Sequence, residues 1–331
     1  MKPDEKALKT AAKRRAVVVC VAASLFLAAC GSSASAGSSA DATTAITVGT
    51  SPAILNVSLY YAAQSGLFTK NGLKETPKVL ASGEEATPLL LNGQIQFAAN
   101  DPVGVITAIS KNVPVVFVAA AGYPSTDPSK DITGLLVKSS IKSAADLNGK
   151  TIAVNALGGN LELAAKAAID KAGGDSASMK FVVMSLPSMD AAVKSGKVAG
   201  AVASEPFIAA GKAEGLSDLL SVASTAEPGV PTVVYMTSKA YASSHPDVVR
   251  KFIASLNASD SALSKSPATV RSVAVKSTGA PASLLAKSNL PVFKSAAAVP
   301  LSALDELQNL MIKYKFLAKK VDLSKYIASG S

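Results

Sequence analysis

Covalent chemistry has few candidates in this chain of 331 residues, which holds two cysteines, Cys20 and Cys30, and one histidine, His245. Past Cys30 there is no further thiol, so a disulfide, a thiolate nucleophile and a Cys-ligated metal are all unavailable there. A Ser-His-Asp triad or a His-based zinc site would have to lean on His245 alone. That residue precedes Pro246 and reads as the opening of a helix. Arginine is as scarce: beyond position 30 only Arg250 and Arg271 occur, both in late helical stretches. A bidentate guanidinium clamp on an anion is therefore unsupported. No P-loop-type phosphate cradle occurs either. What remains is lysine, helix N-termini, hydroxyls, amides and carboxylates, the equipment for holding a small molecule by hydrogen bonds.

Residues of that kind gather directly after short β-rich runs. After Ile46 to Gly49 come Thr50, Ser51, Asn56 and Tyr60; after Val79 to Ala81, Ser82 and Gly83; after Phe97 to Ala99, Asn100 and Asp101; after Val115 to Ala120, Tyr123. Thr151 to Val154 is followed by Asn155, Ala156, Leu157, Gly158, Gly159 and Asn160, and Ala199 to Ala203 by Ser204 and Glu205. Each group has two readings. The Asn155–Asn160 loop precedes a helix, whose free N–H groups and dipole would hold an anionic or carbonyl oxygen while the two glycines admit close backbone approach. It is equally a connector with an Asn cap. Ser82-Gly83 divides the same way between ligand contact and helix cap. Tyr60 and Tyr123 either stack on or donate to a ligand, or fill core. Asp101 accepts from a ligand N–H or caps the helix starting at Pro102, and the sequence favours the cap. Glu205, before Pro206, faces a ligand or braces a hinge.

A frame must bring these loops together. Between the β-rich runs, which also include Phe181 to Met184, lie helical patterns over residues 58–65, 84–91, 103–110, 161–172, 189–195 and 207–214, joined by Gly, Pro and Asn connectors. That alternation predicts α/β architecture. In open α/β sheets, ligands bind outside the carboxyl ends of strands, which is where the polar groups above fall. Gly134 to Val137 and Thr232 to Thr237 bracket the middle third and read as two hinge strands. From Pro246 onward the pattern is helical, with Pro246, Pro267 and Pro281 each placed for a first helical turn and an apolar stripe of Leu304, Leu307, Leu310 and Met311 within Ser302 to Tyr314. No internal repeat of 20–50 residues is present.

The first 15 residues carry six basic side chains and the next 14, Ala16 to Ala29, no charge at all. This is a signal-peptide layout, with an apolar run too short for a retained membrane span. It ends Leu27-Ala28-Ala29-Cys30-Gly31, which resembles the bacterial lipobox and implies lipid modification of Cys30 after residues 1–29 are removed. Residues 30–45 form a Ser/Gly/Ala tether. The six basic and two acidic residues before Cys30 carry four of the ten net positive charges, leaving +6 on the body. With that charge spread among lysines, no Trp and no basic stripe, nucleic-acid binding is excluded.

The order of features over nearly the whole body resembles the solute-binding proteins of ABC importers for nitrate, sulfonates, taurine and pyrimidine precursors. The resemblance rests on Leu59-Tyr60-Tyr61-Ala62-Ala63-Gln64-Ser65-Gly66-Leu67-Phe68, on Asn71-Gly72-Leu73 and on Lys111-Asn112-Val113-Pro114-Val115. It continues through Ile141 to Val154 (IKSAADLNGKTIAV) and Glu205-Pro206-Phe207. One departure is Gly200, where the family usually places Asp. The resemblance implies a two-lobe periplasmic-binding-protein type II fold with two hinge strands and a helical C-terminal block. Lobe 1 is then residues 46–134 plus 232–331, and lobe 2 residues 135–231.

It further implies an extracytoplasmic, membrane-anchored monomer without a cofactor. Such a protein captures a small organic or anionic solute between its lobes and passes it to an ABC permease. The expected ligand-binding residues are Ser51, Asn56, Tyr60, Ser82, Gly83, Asn100, Asp101, Tyr123, Asn155, Gly158, Gly159, Asn160 and Glu205. Two other readings stay open: a ligand-sensing lipoprotein that signals to a membrane partner, and an enzyme resembling the pyrimidine synthase of this fold. The second is disfavoured by the missing cysteines and histidines.

Overall fold

A computed structural model describes residues 43–80, 83, 85–294 and 298–330. The signal peptide, Cys30, most of the tether and Ser82 lie outside the described residues. Two five-stranded sheets organise the rest. The first half supplies β1 (Thr44–Thr50), α1 (Val57–Gln64), α2 (Leu67–Lys70), β2 (Leu73–Val79), α3 (Ala86–Leu91), β3 (Phe97–Asn100), α4 (Pro102–Ser110) and β4 (Val115–Ala121). The middle supplies β5 (Thr133–Val137), β6 (Thr151–Val154), α5 (Asn160–Lys171), β7 (Lys180–Val183), α6 (Leu186–Ser195), β8 (Gly200–Ser204), α7 (Phe207–Ala213), β9 (Ser217–Ser221) and α8 (Ala223–Ala226). β10 (Val233–Ser238) returns to the first sheet, followed by α9 (Lys239–Ser244), α10 (Pro246–Leu263), α11 (Pro267–Thr278), α12 (Ala282–Leu285) and α13 (Leu301–Lys313).

Both sheets share one plan. Sheet one runs β2-β1-β3-β10-β4 and sheet two β7-β6-β8-β5-β9. In each, the fourth strand is antiparallel to both its neighbours and is the first strand the chain forms on arriving from the other sheet. Nearly all of residues 134–137 and 232–237, the two expected hinge strands, lies in β5 and β10, the paired strands that each crossing runs directly into. The chain crosses through residues 122–132 and 227–232. The two crossings touch, since Thr232 donates to the Gly122 carbonyl from both N (2.7 Å) and Oγ1 (2.8 Å).

Burial explains the strands. All seven residues of β4 (VVFVAAA) are buried although it ends the sheet order, because α4, α10 and the C-terminal turn pack over it. β2 is an edge strand with one buried residue, Leu73. It lies earlier than the predicted run at residues 79–81, of which Val79 is its last residue. α10 seals sheet one: the Phe252 ring stacks on Phe97 (centroids 4.0 Å apart) and on Phe68 (5.6 Å), and meets Tyr235 edge-on. Pro246 and Pro267 open α10 and α11 as expected, but Pro281 precedes α12 as its cap residue. The apolar stripe of α13 packs Leu304, Leu307 and Met311 with Ile106, Phe117 and Leu163. α13 therefore covers helices that follow strands of both sheets. Tyr314, just past it, donates to Asp170 at 2.8 Å.

Candidate functional site

Where β1 ends, a short 3-10 turn (Ile54–Asn56) leads into α1 and buries Asn56. The Asn56 amide donates to the Ser51 carbonyl (2.9 Å) and hydroxyl (3.0 Å), and the Tyr60 hydroxyl donates to the same carbonyl (3.2 Å). Ser51, Asn56 and Tyr60 thus form one cluster, while Asn56 Oδ1 is buried without a partner. Gly122 fixes the next loop beside it, because a Cβ there would lie 3.4 Å from the Leu55 carbonyl.

Past β3, the Asn100 amide donates to Gly83 O (3.3 Å), and a Cβ on Gly83 would collide with the Asn100 side chain. Asn100 Oδ1 accepts from the Asp101 N–H (2.9 Å). Asp101 Oδ1 accepts from Gly104 N–H (2.8 Å), so of its two readings the structure supports the α4 cap. Tyr123 is 3% exposed and is hydrogen-bonded through its backbone to Val292 in both directions, at 2.8 and 2.9 Å. Burial, with the negative Asp260 adding to it, pushes its hydroxyl up to about 12. Its ring is wall rather than free surface, with the Lys294 ammonium 3.7 Å above it.

On the second sheet, Gly158 adopts φ +76°, and its N–H donates to Glu162 Oε2 (2.8 Å), itself paired with Lys166 (2.7 Å). Gly159 caps α5 with no side-chain bond, and Asn155 is exposed in the loop before it. Asn160 is the first helical residue rather than part of a free loop; it is 8% exposed and its Oδ1 is buried without a partner. Glu205, at the end of β8, is buried. Its Oε1 accepts from Asn289 N–H (3.0 Å) and its Oε2 from Ala209 N–H (3.2 Å). Both oxygens are engaged, so Glu205 braces the C-terminal block, and its reading as a free ligand contact gives way to that role.

Four residues that the sequence did not single out belong here. Asn289 donates to the carbonyls of Asp131 (2.8 Å) and Ser129 (3.3 Å) in the first crossing. Asp131 accepts from Thr133 N–H (3.0 Å) and from Ser224 N–H (2.7 Å), tying the first crossing to β5 and α8. Glu227, in the second crossing, is driven by burial up to about 8; hydrogen bonding from Asn160 opposes the shift, and Asp101 and Asp131 reinforce it. Lys294 is the fourth. None carried a motif: Glu227 sits in a Glu-Pro-Gly turn, where a carboxylate ordinarily faces water, and Asn289 and Lys294 lie in a segment without periodicity. Among the described residues no group of three or more His, Cys, Asp or Glu could hold a metal, and no helix is long and apolar enough to cross a membrane.

Two α/β domains, each contributing the antiparallel strand next to its crossing, define the periplasmic-binding-protein class of fold. Within it, the chain belongs to the NMT1/THI5-like family, whose sequence model matches residues 56–270. Solved structures agree on the fold. The alkanesulfonate-binding protein SsuA from Xanthomonas axonopodis pv. citri, bound to MOPS, has a TM-score of 0.70 at 19% identity, over 86% of this chain and 98% of that one. The periplasmic nitrate-binding protein NrtA from Synechocystis PCC 6803 has a TM-score of 0.71 at 13% identity, over 86% of each chain. The desulfurization enzyme DszB shares the fold as well, with a TM-score of 0.64 at 13% identity, over 86% of this chain and 96% of that one. No curated protein matches the sequence.

Proposed function

We propose that this chain is an extracytoplasmic solute-binding protein that captures a small organic or anionic solute between its two domains and delivers it to an ABC importer. In this reading residues 1–29 are removed, Cys30 carries the lipid, residues 30–45 are the tether, and the body works as a monomer at the outer face of the membrane. Lobe 1 is residues 46–134 plus 232–331, and lobe 2 is residues 135–231. The observation that carries the reading is the double crossing between two sheets whose strand-end loops bear the polar side chains. A hinged pair of domains makes use of such an arrangement, because closure gains its free energy from a guest that contacts both halves.

Ser51, Asn56, Tyr60, Ser82, Gly83, Asn100 and Tyr123 supply one face, and Asn155, Gly158, Gly159 and Asn160 the other. Asp101 and Glu205 hold these loops in place. The open N-terminus of α5 suits a carbonyl or an anionic oxygen. The neighbours named for sulfonate and nitrate binding make taurine, ethanesulfonate and nitrate the first probes.

Titration calorimetry of those three solutes against the wild-type protein and Asn100→Ala/Asn155→Ala tests the site. Binding that weakens at least tenfold in the double variant, with the melting temperature unchanged, supports it; undiminished affinity would remove it. Native mass spectrometry of protein isolated from its host identifies any solute carried along. Intact-mass measurement at Cys30 decides the anchor separately.

A further inference from the structure

The seam where helices of the two sheets meet is apolar at one end and holds a buried carboxyl at the other. α5 follows β6 of the second sheet, yet its Leu163 is fully buried in one cluster with Val103 and Ile106 of α4, Leu304 and Met311 of α13, and Val230 of the second crossing. Glu227 stands at the polar end. Its N–H donates to the Ala223 carbonyl (2.8 Å) and its carbonyl accepts from the Val230 N–H (3.1 Å), which fixes its backbone. The side chain is 4% exposed and is hydrogen-bonded by Asn160, the first residue of α5.

Glu227 Oε1 and Asn160 Oδ1 are both buried without a partner. The contact therefore leaves hydrogen-bonding capacity that water would fill as soon as α5 moved off. The charges around it are lopsided. Asp101, at the start of α4, and Asp131, in the first crossing, both act on Glu227, and no ion pair among the described residues includes it. On α5, Glu162 is taken by Lys166 at 2.7 Å, and on α13, Glu306 and Lys313 line a cavity together with residues 226–230. Burial first, and the two aspartates after it, push the carboxyl up to about 8. Once ionised in place, it would be an unpaired buried charge beside two like ones.

We propose that Glu227 is a proton-operated catch between the two domains. Protonated, it lies sealed in the seam and α5 stays on α4. Ionised, it is relieved by the movement that takes Asn160 and α5 away and lets water in, so opening releases one proton to solvent and closing takes one up. As regulation of the solute cleft, the catch rests on the solute-binding reading: acid favours the closed arrangement that holds the solute. The sealed carboxyl titrates at about 8, and a hydrated one at about 4.3. The advantage of the closed arrangement is therefore complete below about pH 4 and is lost by up to about tenfold per pH unit as pH rises to about 8. Above that both arrangements are ionised and the balance stays level.

Small-angle scattering of the solute-free protein from about pH 5 to about pH 9 tests the catch. The radius of gyration should grow with pH and level off at about 8. Glu227→Gln, which cannot ionise, should give a flat curve. Asp101→Asn removes one of the two neighbouring negative charges but keeps a capping oxygen, and it should move the plateau down by roughly half a pH unit. A flat wild-type curve overturns the proposal, as does equal growth in Glu227→Gln. If Glu227→Gln fails to fold, Asp101→Asn decides alone, and an unmoved plateau overturns the catch. Of taurine, ethanesulfonate and nitrate, any that binds should bind more tightly at about pH 5 than at about pH 8, and equally at both in Glu227→Gln; wild-type affinity independent of pH overturns the regulation. Scattering needs no solute, so failure of all three to bind falls on the solute reading, while the scattering curve still decides the catch.

Discussion

At the scale of single residues, the strand-end loops are held by contacts whose loss has a definite cost. Asp101 satisfies the Gly104 N–H in the first turn of α4, and removing such a cap costs about 1 kcal/mol. Asp101→Ala should therefore lower the urea midpoint, and Asp101→Asn should restore most of the loss, because an amide oxygen also caps. A midpoint insensitive to both would mean that the cap bond carries no stability. Gly158 is a different case. At φ +76° a Cβ would meet nothing within 4 Å, so Gly158→Ala should cost only the left-handed backbone penalty of about 1 kcal/mol. A much larger loss would point to a steric role that the geometry denies. Residue roles were half legible in the sequence: it offered both readings for Asp101 and Glu205, but the choice depends on partners. Asn289 is 84 residues from Glu205 along the chain, and no local pattern announces it.

Elements were more legible where they are buried on both sides. β4, β6 and β8 are short apolar runs bounded by turns, and they stand within a residue or so of where the pattern puts them. Two of the edge strands were not: β2 (LKETPKV) carries charges and a proline, and β9 (SDLLS) lacks any alternation. An edge strand pairs on one side and faces water, so it needs neither an apolar run nor freedom from proline. Length and periodicity made α10 and α13 visible, although not what they cover. α10 covers sheet one through Phe252, which is fully buried against Phe68, Phe97 and Tyr235. Phe252→Ala should cost about 3–5 kcal/mol, read as a lowered urea midpoint with little change in slope. Phe252→Leu should recover much of it. Equal losses in the two variants would show that ring stacking, not buried volume, holds the helix down.

For the whole molecule, the deciding feature is how many acids are buried without a cation. Burial holds Glu75 and Asp260 at about 7 and Glu227 at about 8, well above ordinary carboxyls. Asp260 is contacted by the Ser58 hydroxyl and Glu227 by the Asn160 amide, and neither partner brings a positive charge. Each group binds a proton in the folded protein that the unfolded chain has released above about pH 4. The stability they lend is complete below their unfolded values and is lost as pH rises through the folded ones, so the slope from about pH 5 to 8 is negative. The depressed carboxyls Asp127, Asp146, Asp170 and Asp322 act with the opposite sign. They titrate below the range of ordinary carboxyls, outside this window. The melting temperature should therefore fall by several degrees, on the order of a few kcal/mol, between about pH 5 and pH 8. Glu227→Gln should flatten the upper part of that fall, since it removes the group that titrates highest. Differential scanning calorimetry across the window measures both curves. A melting temperature that climbs with pH would mean that these acids are solvated or paired.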